Sequence, residues 1–432
     1  MPLDEWQSRL EGEEGGACVR VPVCPLLTLQ CTRPNFVGVC NVTTVSVAGR
    51  MLRFADGTSR GRAVFAAKEI EAGALLLTEA PLLSMALPES RSAVSACERC
   101  SRPLGTVWSQ LEHLTGLKRL PKLPIDEEEA YIADDVPCRR GCRAVRYCSA
   151  SCEEQHAQAH LHLCAGRGPA AAAALARFET HAHATHECFL FGARIVADVL
   201  AHQSGKAATA EGRYAELCRI PWWDLSDEGE PKSARGRKQA REDASTSLRL
   251  LRTLLAADAA EAPSSPAPRL EWLTLEAWGG LLGAARRNAI CVQLPHPLLE
   301  FVPALLDWES TSADAAEARA LQPLLQALPS PLPETLWTAV YPRISCVNHS
   351  CSPNAEVHFL SENHEGTLMA TRRIDRGEEL FISYIDDNER SNFTKRRDSL
   401  RDYGFECACT KCEVEESWVR RLRPRPMAPA SP

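Results

Sequence analysis

Eleven of the 19 cysteines and one of the 12 histidines fall at spacings that suit metal ligation. They are Cys97/Cys100, Cys138/Cys142, Cys148/Cys152, His160/Cys164, and Cys351 with Cys407, Cys409 and Cys412. Thiolate and imidazole donors in sets of four are what tetrahedral structural zinc takes. Cys148 and Cys152 are four apart, as are His160 and Cys164, so on a helix each pair would share a face and could share an ion. Interleaving the pairs in chain order, first with third and second with fourth, gives a cross-brace. His156 and His162 are alternatives to His160, which is preferred because it alone lies four residues before Cys164. The run Cys407-Ala408-Cys409-Thr410-Lys411-Cys412 holds three thiols with no fourth close in sequence, and Cys351 is the candidate that completes it. An ion there would tie this run to Asn348-His349-Ser350-Cys351. His181, His183, His186 and Cys188 also look metal-like, but offsets of two and five do not share a helix face, so no site is expected.

The composition favours metal over disulfides. Met1 to Gly16 is acidic and lacks an apolar run, so no secretory signal is read, and reduced cysteines in a cytoplasmic or nuclear protein are expected. The best apolar stretch, Phe189 to Ala201, is broken by Arg194 and Asp198, which excludes a membrane span. A net charge of -7 argues against general affinity for nucleic acid. With 432 residues and 45% hydrophobic content the chain can bury a sizeable core, and a monomer is expected. Arg139, Arg140, Arg143 and Arg146 read as a solvated face.

Elements must hold these residues in place. Residues 1–42 read as an extension in which Cys18, Cys24, Cys31 and Cys40 form no site. Short β-type runs follow at Thr43–Val47, Ala63–Ala67 and Ala74–Thr78, then the cysteine-rich block with a linker through Asp126–Glu129. Helical texture covers Ala170–Ala176, Phe189–Leu200, Leu248–Ala257, Leu273–Arg286 and Ala313–Leu328, with Ser226–Ser247 and Ala262–Pro268 as loops. Strands return at Ala355–Leu360, Thr367–Arg372 and Leu380–Tyr384, before a basic helix over Asn392–Tyr403 that stops at Gly404. One β domain interrupted by two insertions is the expected α+β fold.

Tyr147-Cys148-Ser149-Ala150-Ser151-Cys152, followed by His160 and Cys164, resembles the MYND zinc finger. Cys138/Cys142 is a C-x3-C where that family usually has C-x2-C, and a long linker separates the first two pairs. Asn348-His349-Ser350-Cys351-Ser352-Pro353-Asn354, Gly377-Glu378-Glu379-Leu380 and Phe381-Ile382-Ser383-Tyr384 resemble the catalytic half of SET-domain lysine methyltransferases. Gly61-Arg62-Ala63-Val64-Phe65-Ala66, Glu71-Ala72-Gly73 and Glu79-Ala80-Pro81 resemble its first half, with alanine at 63 where glycine is common. Together these resemble the SET-MYND family over most of residues 45–412.

The resemblance implies a protein-lysine N-methyltransferase of histone or non-histone proteins. It would use S-adenosylmethionine and three structural zinc ions, with partner proteins at the finger. The implied organisation is an extension at 1–42, a SET N-terminal half at 43–96, the finger at 97–164 and a helical insert at 165–336. The SET catalytic half at 337–403, a post-SET zinc segment at 404–414 and a disordered tail at 415–432 would follow. The chain ends soon after Cys412, so it is expected to fall in the compact branch without the C-terminal helical-repeat domain. Cofactor contacts are implied for Gly61, Arg62, Ala63, Asn288, Asn348, His349 and Phe405, and Tyr384 and Tyr403 for the lysine channel. The rival readings are an inactive SET scaffold that binds partners through its finger, and a ubiquitin ligase with a RING-like cross-brace.

Overall fold

The computed structural model describes residues 51–422 except 59–60, 124, 203–213, 215–216, 218, 226–232, 258–268, 312–314, 362, 387–389, 391 and 402. The expected N-terminal extension, the Thr43–Val47 run, the Ala262–Pro268 loop and residues 423–432 lie outside these. No described helix is long and apolar enough to cross a membrane.

The β domain is built from short strands. Leu52–Thr58 pairs antiparallel with Gly61–Ala66. Thr335–Val340 lies between Leu83–Ala86 and Ala289–Leu294, and Gly366–Ala370 between Ala355–His358 and Leu75–Glu79, all antiparallel. Asn348–His349 runs parallel to Phe381–Ile382, which brings the two segments resembling the catalytic half side by side. One hydrophobic core joins the sheets through Val64, Leu76, Val292, Trp337, Tyr341, Leu368 and Leu380. The Ala289–Leu294 strand corrects the expectation of an all-helical insert. Its run Ile290-Cys291-Val292 is apolar on consecutive residues because both faces are covered, a pattern that periodicity alone does not separate from helix.

Four long helices form the insert around a second core centred on the fully buried Trp278: Pro169–Thr185, Cys188–Ala201, Ala234–Ala256 and Leu275–Asn288. The Ala234–Ala256 helix overturns the expected Ser226–Ser247 loop. Ser233 caps it by accepting from Gly236 N at 3.0 Å, and Ala240, Ala244, Ser247, Leu248 and Leu251 bury one face beneath a charged outer one. The sequence signal was masked because the buried face begins with small residues. The tail is corrected as well: Thr410–Leu422 is a helix, so the order expected to end at residue 414 continues.

The segment between Cys100 and Cys138 is more than a linker. Its helix Val107–Thr115 packs with two helices from the far side of the insert, Phe301–Thr311 and Ala315–Ala327, around Leu111, Leu305, Leu321 and Leu324. The finger is thereby braced against a separate apolar cluster. Arg194 adds a largely buried ion pair to Glu98 at 2.7 Å, tying the finger to the Cys188–Ala201 helix.

Candidate active site and metal centres

The three expected sets of four converge. Cys97, Cys100, Cys148 and Cys152 form one group, Cys138, Cys142, His160 and Cys164 a second, and Cys351, Cys407, Cys409 and Cys412 a third, with ligand atoms within 4.8 Å of one another. A zinc–sulfur bond of about 2.3 Å makes the edge of a tetrahedron roughly 3.8 Å. Sulfur separations here are 3.5 Å for Cys100–Cys148 and Cys148–Cys152, 3.9 Å for Cys138–Cys164, and 3.8 Å and 3.5 Å from Cys351 to Cys407 and Cys412. Each tetrad could therefore hold a zinc ion. The two finger tetrads interleave in the expected cross-brace, but the paired ligands straddle helix ends rather than share a helical face. Cys148 precedes the Ser149 cap of the Ala150–Leu163 helix, and Cys164 follows its end. His156 is not a ligand: its Nδ1 lies 3.1 Å from the Tyr147 hydroxyl and its ring stacks on His160.

Charge explains why these thiols need a cation. Cys97 is brought down to about 5, first by the hydrogen bond from Cys100, while that same bond and burial push Cys100 up. Burial and the neighbouring Cys164 likewise raise Cys142 to about 12. Thiolates this close oppose one another's ionisation, and a dication supplies the compensating charge. His160, held neutral by burial first and His156 second with its pKa near 4, is ready to ligate.

The third tetrad adjoins the site. His349 Nδ1 accepts from Tyr384 N at 3.0 Å, and its Nε2 lies 3.3 Å from Cys351 Sγ. Burial keeps the imidazole neutral with its pKa near 4, so the proton sits on Nε2 and is directed at the sulfur. One side chain thus links the metal ligand to the backbone of Tyr384. The Tyr384 hydroxyl donates to the Val347 carbonyl at 2.8 Å, and the Tyr403 hydroxyl donates to the Tyr384 carbonyl at 3.0 Å. Ring centroids lie 5.0 Å apart for Tyr384 and Tyr403, 6.3 Å for Tyr384 and Phe405, and 6.0 Å for His349 and Phe405. Such a cluster of aromatic faces favours a cationic sulfonium or ammonium group.

The residues that the resemblance implied for the cofactor lie on the neighbouring wall. Asn348 uses its amide to donate to Arg62 O at 2.8 Å and Glu379 Oε1 at 2.9 Å, fixing the first SET hairpin against the second half. Arg62 Nη2 reaches Asn288 Oδ1 at 3.5 Å and Nη1 reaches Cys346 Sγ at 3.3 Å. Gly61 has φ +84°, a conformation glycine adopts without strain, and Ala63 is buried in the following strand. A cavity with an empty volume near 300 Å³, open solvent included, brings Asn288, Ser345 and Val347 together with Tyr384 and Tyr403.

Sequence reasoning assigned no role to the supporting groups. Glu79 accepts from Arg343 N and Ile344 N at 3.1 Å and 2.9 Å, shaping the turn that leads to Val347. Arg396 is fully buried, pairs with Glu415 at 2.5 Å and lies 4.0 Å from Cys412 Sγ, where its charge offsets the thiolates. The basic helix gave a signal for Arg396, but only the fold distinguishes it from its solvated neighbours. Backbone acceptors such as Val347 O have no residue-type signature at all. His181 stacks on Phe189 and His186 meets Trp222 edge-on, away from any metal group among the described residues.

The SET domain family matches residues 250–385. The chain is similar to histone-lysine N-methyltransferase ATXR2 of Arabidopsis thaliana, at 29% identity over 77% of this chain and 72% of that protein. It is similar to protein-lysine N-trimethyltransferase SMYD5 of Homo sapiens, at 27% identity over 88% and 89% respectively. A stretch of 84 residues, 19% of each chain, is 42% identical to histone-lysine N-methyltransferase SMYD3 of Mus musculus. With a SET domain joined to cross-braced cysteine tetrads and relatives that span most of its length, this chain is similar to the SET-MYND protein-lysine methyltransferases.

Proposed function

We propose that S-adenosylmethionine is the methyl donor, that lysines of histone and non-histone proteins are the acceptors, and that zinc fills the three tetrads. The observation that carries this reading is the cavity in which Tyr384 and Tyr403 meet Asn288, with the Arg62 guanidinium bonded to that asparagine. S-adenosylmethionine supplies an electrophilic methyl on a sulfonium centre. The residues present fit it: a guanidinium and an amide for its amino-acid end, and the Phe405 and His349 rings for its adenine and its positive charge.

Tyr384 acts through its hydroxyl. Because the O–H donates to Val347 O, its lone pairs are left to accept an N–H of the substrate amine and aim the nitrogen lone pair along the cavity. The aromatic walls disfavour the ammonium form, so the lysine loses its proton to solvent and reacts as the neutral amine. Forming the N–C bond while the methyl C–S bond of the donor breaks would leave a neutral thioether and return the charge to nitrogen. Zinc at Cys351, Cys407, Cys409 and Cys412 would keep Tyr403 and Phe405 over the site without entering the chemistry. Isothermal titration of S-adenosylmethionine into the zinc-loaded protein tests the donor. One site per chain, weakened by Arg62→Ala, is expected; no binding would sink the reading.

A further inference from the structure

We propose that Arg287 selects target lysines flanked by an acidic side chain, a proposal that rests on the lysine-methylation reading of the same cavity. Arg287 stands in the last turn of the Leu275–Asn288 helix and lines the cavity together with Tyr384 and Tyr403. Its side chain is half-buried and makes no hydrogen bond or ion pair with any described residue. The other arginines around the site are engaged: Arg62 with Asn288 and Cys346, Arg396 with Glu415, Arg397 with Glu406 and Glu416.

Local structure makes room for this cation. Gly404 follows Tyr403 with φ +72°, and a Cβ at that position would lie 3.0 Å from Arg287 Nη1. A side chain at 404 would press on the guanidinium, whereas glycine leaves it free beside the tyrosine of the lysine channel. A partly desolvated guanidinium without a counter-charge among the described residues favours a carboxylate, which it can take in a bidentate pair. The amino-acid end of the donor already has Arg62, bonded to Asn288. The carboxylate left for Arg287 is one that enters with the substrate, on an Asp or Glu beside the target lysine.

The test is binding of lysine peptides to the zinc-loaded full chain in the presence of S-adenosylhomocysteine. Two peptides would differ only in carrying Glu or Gln next to the lysine, and a third would carry Arg there. Wild type is expected to bind the Glu peptide about tenfold more tightly than the Gln peptide. Arg287→Lys should keep the sign of that preference, Arg287→Ala should erase it, and Arg287→Glu should turn it toward the Arg peptide. Equal binding of the Glu and Gln peptides by wild type would overturn the proposal. So would an Arg287→Ala protein that loses S-adenosylmethionine affinity yet keeps the peptide preference, since the guanidinium would then serve the donor's carboxylate. Peptide binding is read without turnover, so a wild type that binds selectively but transfers no methyl would refute the methylation reading and leave this one standing.

Discussion

At the scale of the residue, His349 carries more than its place in the Asn348-His349 pair announces. It receives the Tyr384 amide on one nitrogen and faces Cys351 Sγ with the other, so the ring couples the third tetrad to the backbone of Tyr384. His349→Ala should lower zinc retention at the third tetrad by about 10- to 100-fold, the usual effect of removing a group that hydrogen-bonds a ligand. Metal content after a timed chelator challenge reads it, and unchanged retention would show that the contact is incidental. Eleven of the twelve tetrad residues were legible in the sequence because short spacings survive any fold that keeps them local. Cys351 was legible for a different reason, as the fourth ligand that Cys407, Cys409 and Cys412 required. What was not legible is the backbone of the site. Val347 O orients Tyr384, but any residue at 347 would offer the same carbonyl.

At the scale of the element, the tetrads differ in what hangs from them. The two in the finger close a cross-brace that rests on the helix Val107–Thr115 and on the Glu98–Arg194 pair. The third holds the start of the Thr410–Leu422 helix against the Phe393–Arg401 helix, with Tyr403 and Cys351 in the same small cluster. Cys351→Ser and Cys138→Ser should therefore each cost one zinc of three by elemental analysis but diverge in activity. The first should abolish transfer to a short peptide, and the second should reduce it severalfold at most. Equal losses would mean that the finger is part of the catalytic unit. Legibility followed periodicity here. The Cys188–Ala201 and Leu275–Asn288 helices showed through their apolar stripes, whereas Ala234–Ala256 hid behind charge and small buried residues.

At the scale of the whole molecule, the cysteine-rich insertion is locked onto the SET core by a buried polar joint. His364, in the loop before the Gly366–Ala370 strand, places Nδ1 2.6 Å from Ser84 Oγ of the core and 3.3 Å from Ser101 Oγ of the finger. Burial, and secondly the charge of Arg99, hold its pKa near 4, below the unfolded value of 6.5. Between those values the unfolded chain binds a proton that the folded chain refuses. The stabilising term is thus complete above pH 6.5 and is lost as pH falls toward 4, by up to roughly 3 kcal/mol. Denaturant unfolding across that window should be steeper in pH for wild type than for His364→Asn; identical slopes would show the joint to be solvated.

The overall plan of one β domain with two insertions could be read because its segments recur on both sides of the cysteine block. The third cluster, around Leu111, Leu305 and Leu321, could not, because its helices lie far apart in the chain and an apolar stripe on one does not say which other it packs against. The account as a whole stands on Tyr384 performing methyl transfer in the cavity these parts enclose. Mass spectrometry of protein substrates incubated with isotopically labelled S-adenosylmethionine and either wild type or Tyr384→Phe is its most direct test. A lysine methyl mark made by wild type, and reduced about a hundredfold by a Tyr384→Phe protein with intact zinc content, is the expected result. A mark of undiminished intensity from the Tyr384→Phe protein would contradict it.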